Sequence, residues 1–160
     1  MLLATSEYAL RIMVALTEAE GRPLTSDETA RHTQVPSDYA LKILQQLAQA
    51  GFIRARRGRG GGYRLDCDPT RTTLLDIVEV IQPIERIRSC PLGRASHRLR
   101  LCALHHRLDE AAVATREALS SLTLAEAVDD SPSSGLCRES GVPLTVSKSS
   151  DSKRGKRKSG

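Results

Sequence analysis

Two groups of residues in this chain have the types and spacing for chemistry. The first lies within residues 54–64, where Arg54, Arg56, Arg57, Arg59 and Arg64 share eleven positions with four glycines and no acid. Guanidinium groups at this density repel one another and suit phosphates or a narrow minor groove. The glycines permit a tight tip that other residues resist. The bland alternative is a solvated loop. The second group is Cys90, Cys102 and His105. On a helix, Cys102 and His105 at i, i+3 share a face. Two cysteines with two histidines would also make a tetrahedral zinc site, the less favoured option here. The run 58–62 precedes a strand instead of opening a helix, so a dinucleotide site is unsupported.

These groups need a frame, and apolar spacing supplies one. Over 6–18, Ala9, Ile12, Met13 and Leu16 recur at helical intervals, with Thr5 or Ser6 as the expected cap. Gly21-Arg22-Pro23 breaks that helix. Thr25 with Glu28 forms a capping-box pattern for a short second helix ending near His32. That histidine is expected to meet the helix's own terminal carbonyls. Ser37 is the expected cap of a third helix reaching Ala50, with Gly51 as its stop and Ala40, Ile43, Leu44 and Leu47 as its buried stripe. Residues 52–55 and 63–65 then read as two short strands around the arginine–glycine tip. A fourth helix spans 73–81, an irregular stretch 83–101, and a longer helix 102–119. A capped turn from Thr123 follows, with Glu126 three residues on.

Composition narrows the class. With no Trp, one Phe and three Tyr, the core of this 160-residue chain must be built from Leu, Ile, Val and Ala, which favours helices. No run of 18 apolar residues exists, so no transmembrane span is expected, and no secretory signal is visible at Met1-Leu2-Leu3-Ala4. A cytoplasmic location follows as an expectation. Four cysteines (Cys67, Cys90, Cys102, Cys137) then read as ligands or inert thiols before disulfides. The net charge of +5 says less than its placement, since residues 129–160 carry seven basic and four acidic side chains. That tail, rich in Ser, Pro, Gly and Lys, is expected to be disordered, and its run 153–158 to add at most modest nonspecific DNA affinity.

Helix, short helix, turn, helix, hairpin is the order of a winged helix–turn–helix domain. In such a domain the second helix of the motif enters the major groove with its early side chains against bases. Here those are Ser37, Asp38, Tyr39 and Lys42, with Gln45 one turn on. Arg56, Arg57 and Arg59 in the wing complete the expected DNA contact. The predicted architecture is mainly α with a small two-stranded β-wing. It divides into a DNA-binding domain (1–66), an effector loop with a long dimerisation helix (67–128), and a tail (129–160).

The run 56–65, Arg-Arg-Gly-Arg-Gly-Gly-Gly-Tyr-Arg-Leu, after Leu-Ala-Gln-Ala-Gly-Phe-Ile at 47–53, resembles the IscR/NsrR-type regulators of the Rrf2 family. Ser6-Glu7-Tyr8-Ala9-Leu10-Arg11 and Cys90-Pro91-Leu92-Gly93 match that family too. The resemblance covers roughly 1–128. It implies a homodimer held by the helix near 102–119, binding double-stranded DNA at an operator with two-fold symmetry. It also implies a [2Fe–2S] cluster held by three cysteines and a variable fourth ligand. Cys90 and Cys102 fall at the first and third cysteine positions, and His105 matches the histidine ligand of the IscR branch. The middle cysteine is absent, with Ser96 or His97 in its place. Glu7 matches the acidic ligand that the NsrR branch supplies from the partner subunit. Histidine can replace cysteine at a cluster iron. His106 is expected to be a surface neighbour, and Cys67 a structural or exposed thiol.

Two alternatives stand beside a cluster-sensing repressor or activator. One is a clusterless regulator of the same fold, controlled by a partner protein or thiol chemistry. The other is a metal- or redox-dependent enzyme, against which no nucleophile–base pair, paired acids or phosphate loop is found.

Overall fold

The computed structural model describes residues 4–90 and 101–129. Ser96, His97, Cys137 and the expected tail over 130–160 lie outside the described residues. Among the described residues, six helices and two strands follow in the order α1 (Ala4–Glu18), α2 (Ser26–Thr33), α3 (Ser37–Gln49), β1 (Ile53–Arg56), β2 (Gly62–Leu65), α4 (Leu74–Ile81), α5 (Ala103–Ser120) and α6 (Leu124–Asp129). The mainly helical fold with one antiparallel ribbon is as the sequence predicts.

Helix starts show where local chemistry suffices. Thr25 caps α2, its hydroxyl accepting from the Glu28 N–H while the Glu28 carboxylate accepts from the Thr25 N–H at 2.8 Å. Thr73 with Asp76 does the same for α4, and Thr123 with Glu126 for α6. Two expected caps are corrected. Thr5 and Ser6 lie inside α1, where Ser6 is buried on the same face as Ala9 and Met13. Pro36, not Ser37, is the N-cap of α3, and its carbonyl accepts from Tyr39 and Ala40. Proline has no N–H to leave unpaired there, which frees Ser37 to face outward.

One core unites the described chain. Ala9, Ile12, Met13 and Leu16 of α1 meet Ala40, Ile43, Leu44 and Leu47 of α3, with Ala30, Val35 and Ile53 around them. Ile77 of α4 and Leu124 of α6 enter the same cluster, so elements beyond the wing complete the packing around α1. Each of the larger side chains (Ile, Leu, Val, Met) contributes roughly 1.5–3 kcal/mol on leaving water. Thr29 and Thr33 are buried too, and their hydroxyls donate to the carbonyls of Thr25 and Thr29. Helix α5 differs, since none of its residues is buried. Among the described residues no helix is long and apolar enough to cross a membrane.

Candidate nucleic-acid interface and cysteine–histidine site

The helix–turn–helix is α2, the turn at Gln34 and α3. Gln34 adopts the left-handed conformation (φ 55°) and its N–H returns to the Ala30 carbonyl, closing α2 so that the chain can re-enter a helix. The stripe Ala40, Ile43, Leu44 and Leu47 holds α3 on the core. Ser37, Asp38, Tyr39, Lys42 and Gln45, the residues expected to meet DNA, are thereby all exposed along it. Leu41, Gln46 and Gln49 share that exposure and were not singled out by sequence. The signal for them was available, as they are the positions left over by the buried stripe.

Tyr39 is more constrained than expected. Its ring meets Tyr8 of α1 edge-on, with centroids 6.3 Å apart. Arg11 lies over the Tyr8 ring at 5.7 Å, pairs with Glu7 one turn back, and donates to the Thr33 carbonyl at 3.3 Å. A polar and aromatic chain thus runs from Glu7 to the end of α2 and the start of α3.

The wing pairs Ile53 with Leu65, Arg54 with Arg64, Ala55 with Tyr63 and Arg56 with Gly62. The sequence missed its anchor. Leu24, in the α1–α2 connection, bridges to Tyr63 through two backbone hydrogen bonds of 2.9 and 2.7 Å. The approach is so close that a Cβ on Gly62 would lie 2.6 Å from the Leu24 carbonyl oxygen. Arg54 is taken up by Asp66 at 3.0 Å. Arg56, Arg57, Arg59 and Arg64 are exposed and form no ion pair with the described residues. Their charge remains available to an anionic partner.

The second group gathers at the start of α5. Cys102 is the N-cap, in extended conformation, and His105 sits one turn in. His105 Nδ1 lies 3.2 Å from Cys102 Sγ and 3.9 Å from Cys90 Sγ, so residues fifteen apart converge. The segment bearing Cys90 is clamped on the way. Arg86 makes a two-point pair with Asp109 at 2.7 and 2.8 Å, and the same carboxylate accepts from the Ile87 N–H. The Arg86 guanidinium holds the Asp109 carboxyl below the usual carboxylate range. Arg116 of α5 joins Glu79 of α4 and donates to the Ile84 carbonyl. Glu7 is engaged with Arg11 of its own chain. Among the described residues no group of three or more His, Cys, Asp or Glu is arranged to hold a metal ion.

Three remaining readings resolve simply. His32 stands in the last turn of α2, and its Nε2 also lies 3.9 Å from Glu18 Oε2 at the end of α1. His106 is an exposed neighbour, 3.5 Å from Glu110. Cys67 is half-buried against the core, and burial pushes its thiol up, leaving little reactive thiolate at neutral pH.

The family model of Rrf2, an iron-dependent transcriptional regulator, matches residues 2–130. The chain belongs to the Rrf2 family. Its members are transcriptional regulators and not enzymes. HTH-type transcriptional regulators MT1325 and Rv1287 of Mycobacterium tuberculosis are each 35% identical over 92 residues, 56% of this chain and 57% of theirs. The match thus spans little more than half the length of those curated relatives. Among solved structures, T. potens IscR superposes with a TM-score of 0.65 at 22% identity, covering 81% of this chain and 87% of its own. CymR, the global cysteine regulator of B. subtilis, gives 0.65 at 23% identity, over 81% and 97%. The oxidised form of Staphylococcus aureus CymR gives 0.62 at 21%, over 79% and 94%. At these identities the likeness carries the winged-helix fold.

Proposed function

We propose that this Rrf2 regulator is a cytoplasmic homodimer that binds double-stranded DNA at two-fold symmetric operators. In this reading α3 lies in the major groove and the wing follows the backbone. The observation that carries it is the pairing of one exposed polar helix face (Ser37, Asp38, Lys42, Gln45) with a wing whose Arg56, Arg57 and Arg59 have no acidic partner among the described residues. Tyr39, steadied by Tyr8, would meet phosphate or sugar.

A second copy of the chain would cover α5. Leu104, Leu108, Ala111, Thr115 and Ala118 recur at alternating steps of four and three, and Leu104 and Leu108 are 64% and 50% exposed. Such spacing suits the seam between two packed helices. Residues 1–66 would then read DNA, 67–128 sense and dimerise, and 129–160 form a tail.

For the signal, we propose iron–sulfur sensing. Cys90, Cys102 and His105 would hold a [2Fe–2S] cluster, with His97 or the Glu7 position of the second subunit completing the set; zinc is the lesser alternative. The donor types fit, because two sulfurs and an imidazole nitrogen converge where α5 begins. When bound, the cluster would supply sensitivity to redox state, nitric oxide or iron supply. The chain's own part is mechanical. Asp109 and Arg116 tie the Cys90-bearing segment to α5 and α4, and α4 packs on α1 through Ile77, beneath the reading helix. A second reading, clusterless control by a partner protein or thiol chemistry, is favoured by the missing middle cysteine and by the lack of a complete ligand set among the described residues.

The test is absorption, iron and sulfide analysis of protein purified without oxygen, beside its Cys90→Ala variant. Visible bands with about two irons per subunit, lost in the variant, are expected. Protein that stays colourless after reconstitution would refute the cluster and leave DNA binding standing.

A further inference from the structure

The outer face of α3 is almost neutral. Asp38 and Lys42 are its charged members, and Leu41, Gln45, Gln46 and Gln49 are its other exposed side chains beyond Ser37 and Tyr39. Attraction to phosphate therefore resides chiefly in the wing, and the α3 face is better suited to telling bases apart. Tyr39 is turned toward α1 by its contact with Tyr8. On the far flank, Leu41 is 41% exposed and stands one turn before Gln45, also exposed. A lone exposed leucine is ordinary. One stacked at i, i+4 with an amide offers an apolar contact and a two-way hydrogen-bonding group about 5–6 Å apart.

We infer that Leu41 and Gln45 together read an A·T base pair in each operator half-site. Leu41 packs on the thymine methyl, and Gln45 pairs with the adenine N6 and N7 edge. In the major groove only A·T and T·A display a methyl beside a donor–acceptor edge that an amide can match. A G·C pair lacks the methyl, so Leu41 would meet only the smaller C5–H of cytosine, beside its amino group. This assignment rests on the DNA-binding reading and goes beyond it by naming the base pair and its readers.

The experiment is selection of duplexes with randomised cores by the full-length protein at moderate salt. Affinities are then measured for the enriched duplex with single thymines replaced by deoxyuridine. The wild type should enrich an A·T pair at one fixed position per half-site. Removing that thymine's methyl should weaken binding about fourfold. Leu41→Ala should bind the parent duplex about as weakly and show no further loss with deoxyuridine. Gln45→Ala should relax the adenine preference at the same position. Leu41 is exposed, so an unchanged melting temperature will show that its variant is folded. Equal deoxyuridine losses in wild type and Leu41→Ala, or enriched duplexes without a fixed A·T pair, would overturn the assignment. Failure to bind any duplex at low salt would overturn the DNA-binding reading itself, a different outcome.

Discussion

Gly62→Ala tests whether the wing is held where the structure puts it. Gly62 has φ +146°, a conformation L side chains rarely adopt, and a Cβ there would sit 2.6 Å from the Leu24 carbonyl oxygen and 3.1 Å from the Thr25 nitrogen. Both obstacles are backbone, so neither can swing aside. The chain can relieve the clash only by releasing the Leu24–Tyr63 bridge, with its hydrogen bonds of 2.9 and 2.7 Å. Two such bonds contribute about 1 kcal/mol each. The strained backbone adds roughly 1–2 kcal/mol if it is retained. The expected destabilisation is thus about 2–4 kcal/mol, or a fall in Tm of roughly 4–16 °C. Gly60→Ala is the control, because φ +74° carries the conformational cost while nothing lies within 4 Å of its Cβ. It should cost only about 1–2 kcal/mol. Thermal unfolding followed by circular dichroism reads both, and a fluorescence-anisotropy titration with DNA reads the wing. Equal melting shifts for the two variants would refute the anchoring argument.

Other outcomes follow from the same geometry. Replacing Arg56, Arg57 and Arg59 with alanine should lower the slope of log affinity against log salt by up to about one unit per arginine; an unchanged slope would remove the wing from the phosphate contact. Leu108→Glu should yield monomers by light scattering with little change in helicity, because Leu108 is half exposed in the single chain; a surviving dimer would place the interface elsewhere. Acid should destabilise the fold through its caps. Hydrogen bonds from Thr25 and Thr123 hold the Glu28 and Glu126 carboxyls below their usual 4.5. Depressed folded values mean that this stabilisation is full above the unfolded pKa and lost as pH falls through the folded one. Tm should therefore be flat near neutrality and decline below about pH 4.5. A Thr25→Ala, Thr123→Ala double variant should start less stable and decline less, and a parallel decline would contradict the assignment.

What was legible in the sequence was whatever depends on near neighbours. The Thr25, Thr73 and Thr123 helix starts are set by residues within one turn. The stripe through Ala40, Ile43, Leu44 and Leu47 is set by helical period, and that stripe also fixes which face of α3 remains outside. The arginine–glycine tip announced itself by composition. Ser37 misled because hydroxyl side chains favour caps, whereas the preceding proline could serve that position without losing a hydrogen bond. His32 shows the limit of local signals, since it stands in the last turn of α2 as read but also faces Glu18 from another helix, which no local pattern announces.

Tertiary structure alone decided the long-range pairings. Leu24 as the wing's anchor, Tyr8 as the support of Tyr39, and the Arg86–Asp109 and Arg116–Glu79 clamps join residues 23 to 39 positions apart. No period or local propensity encodes such distances. They arise when burial of α1 by α3, α4 and α6 fixes the elements, and polar groups then pair with whatever lies within reach. Cys90 and Cys102 are both plain in the sequence, yet their approach to one imidazole depends on the path of the segment clamped to α5. The sequence by itself determined the reading helix and the charge of the wing, because periodicity and composition are local. Their positions relative to each other were decided only when the core closed.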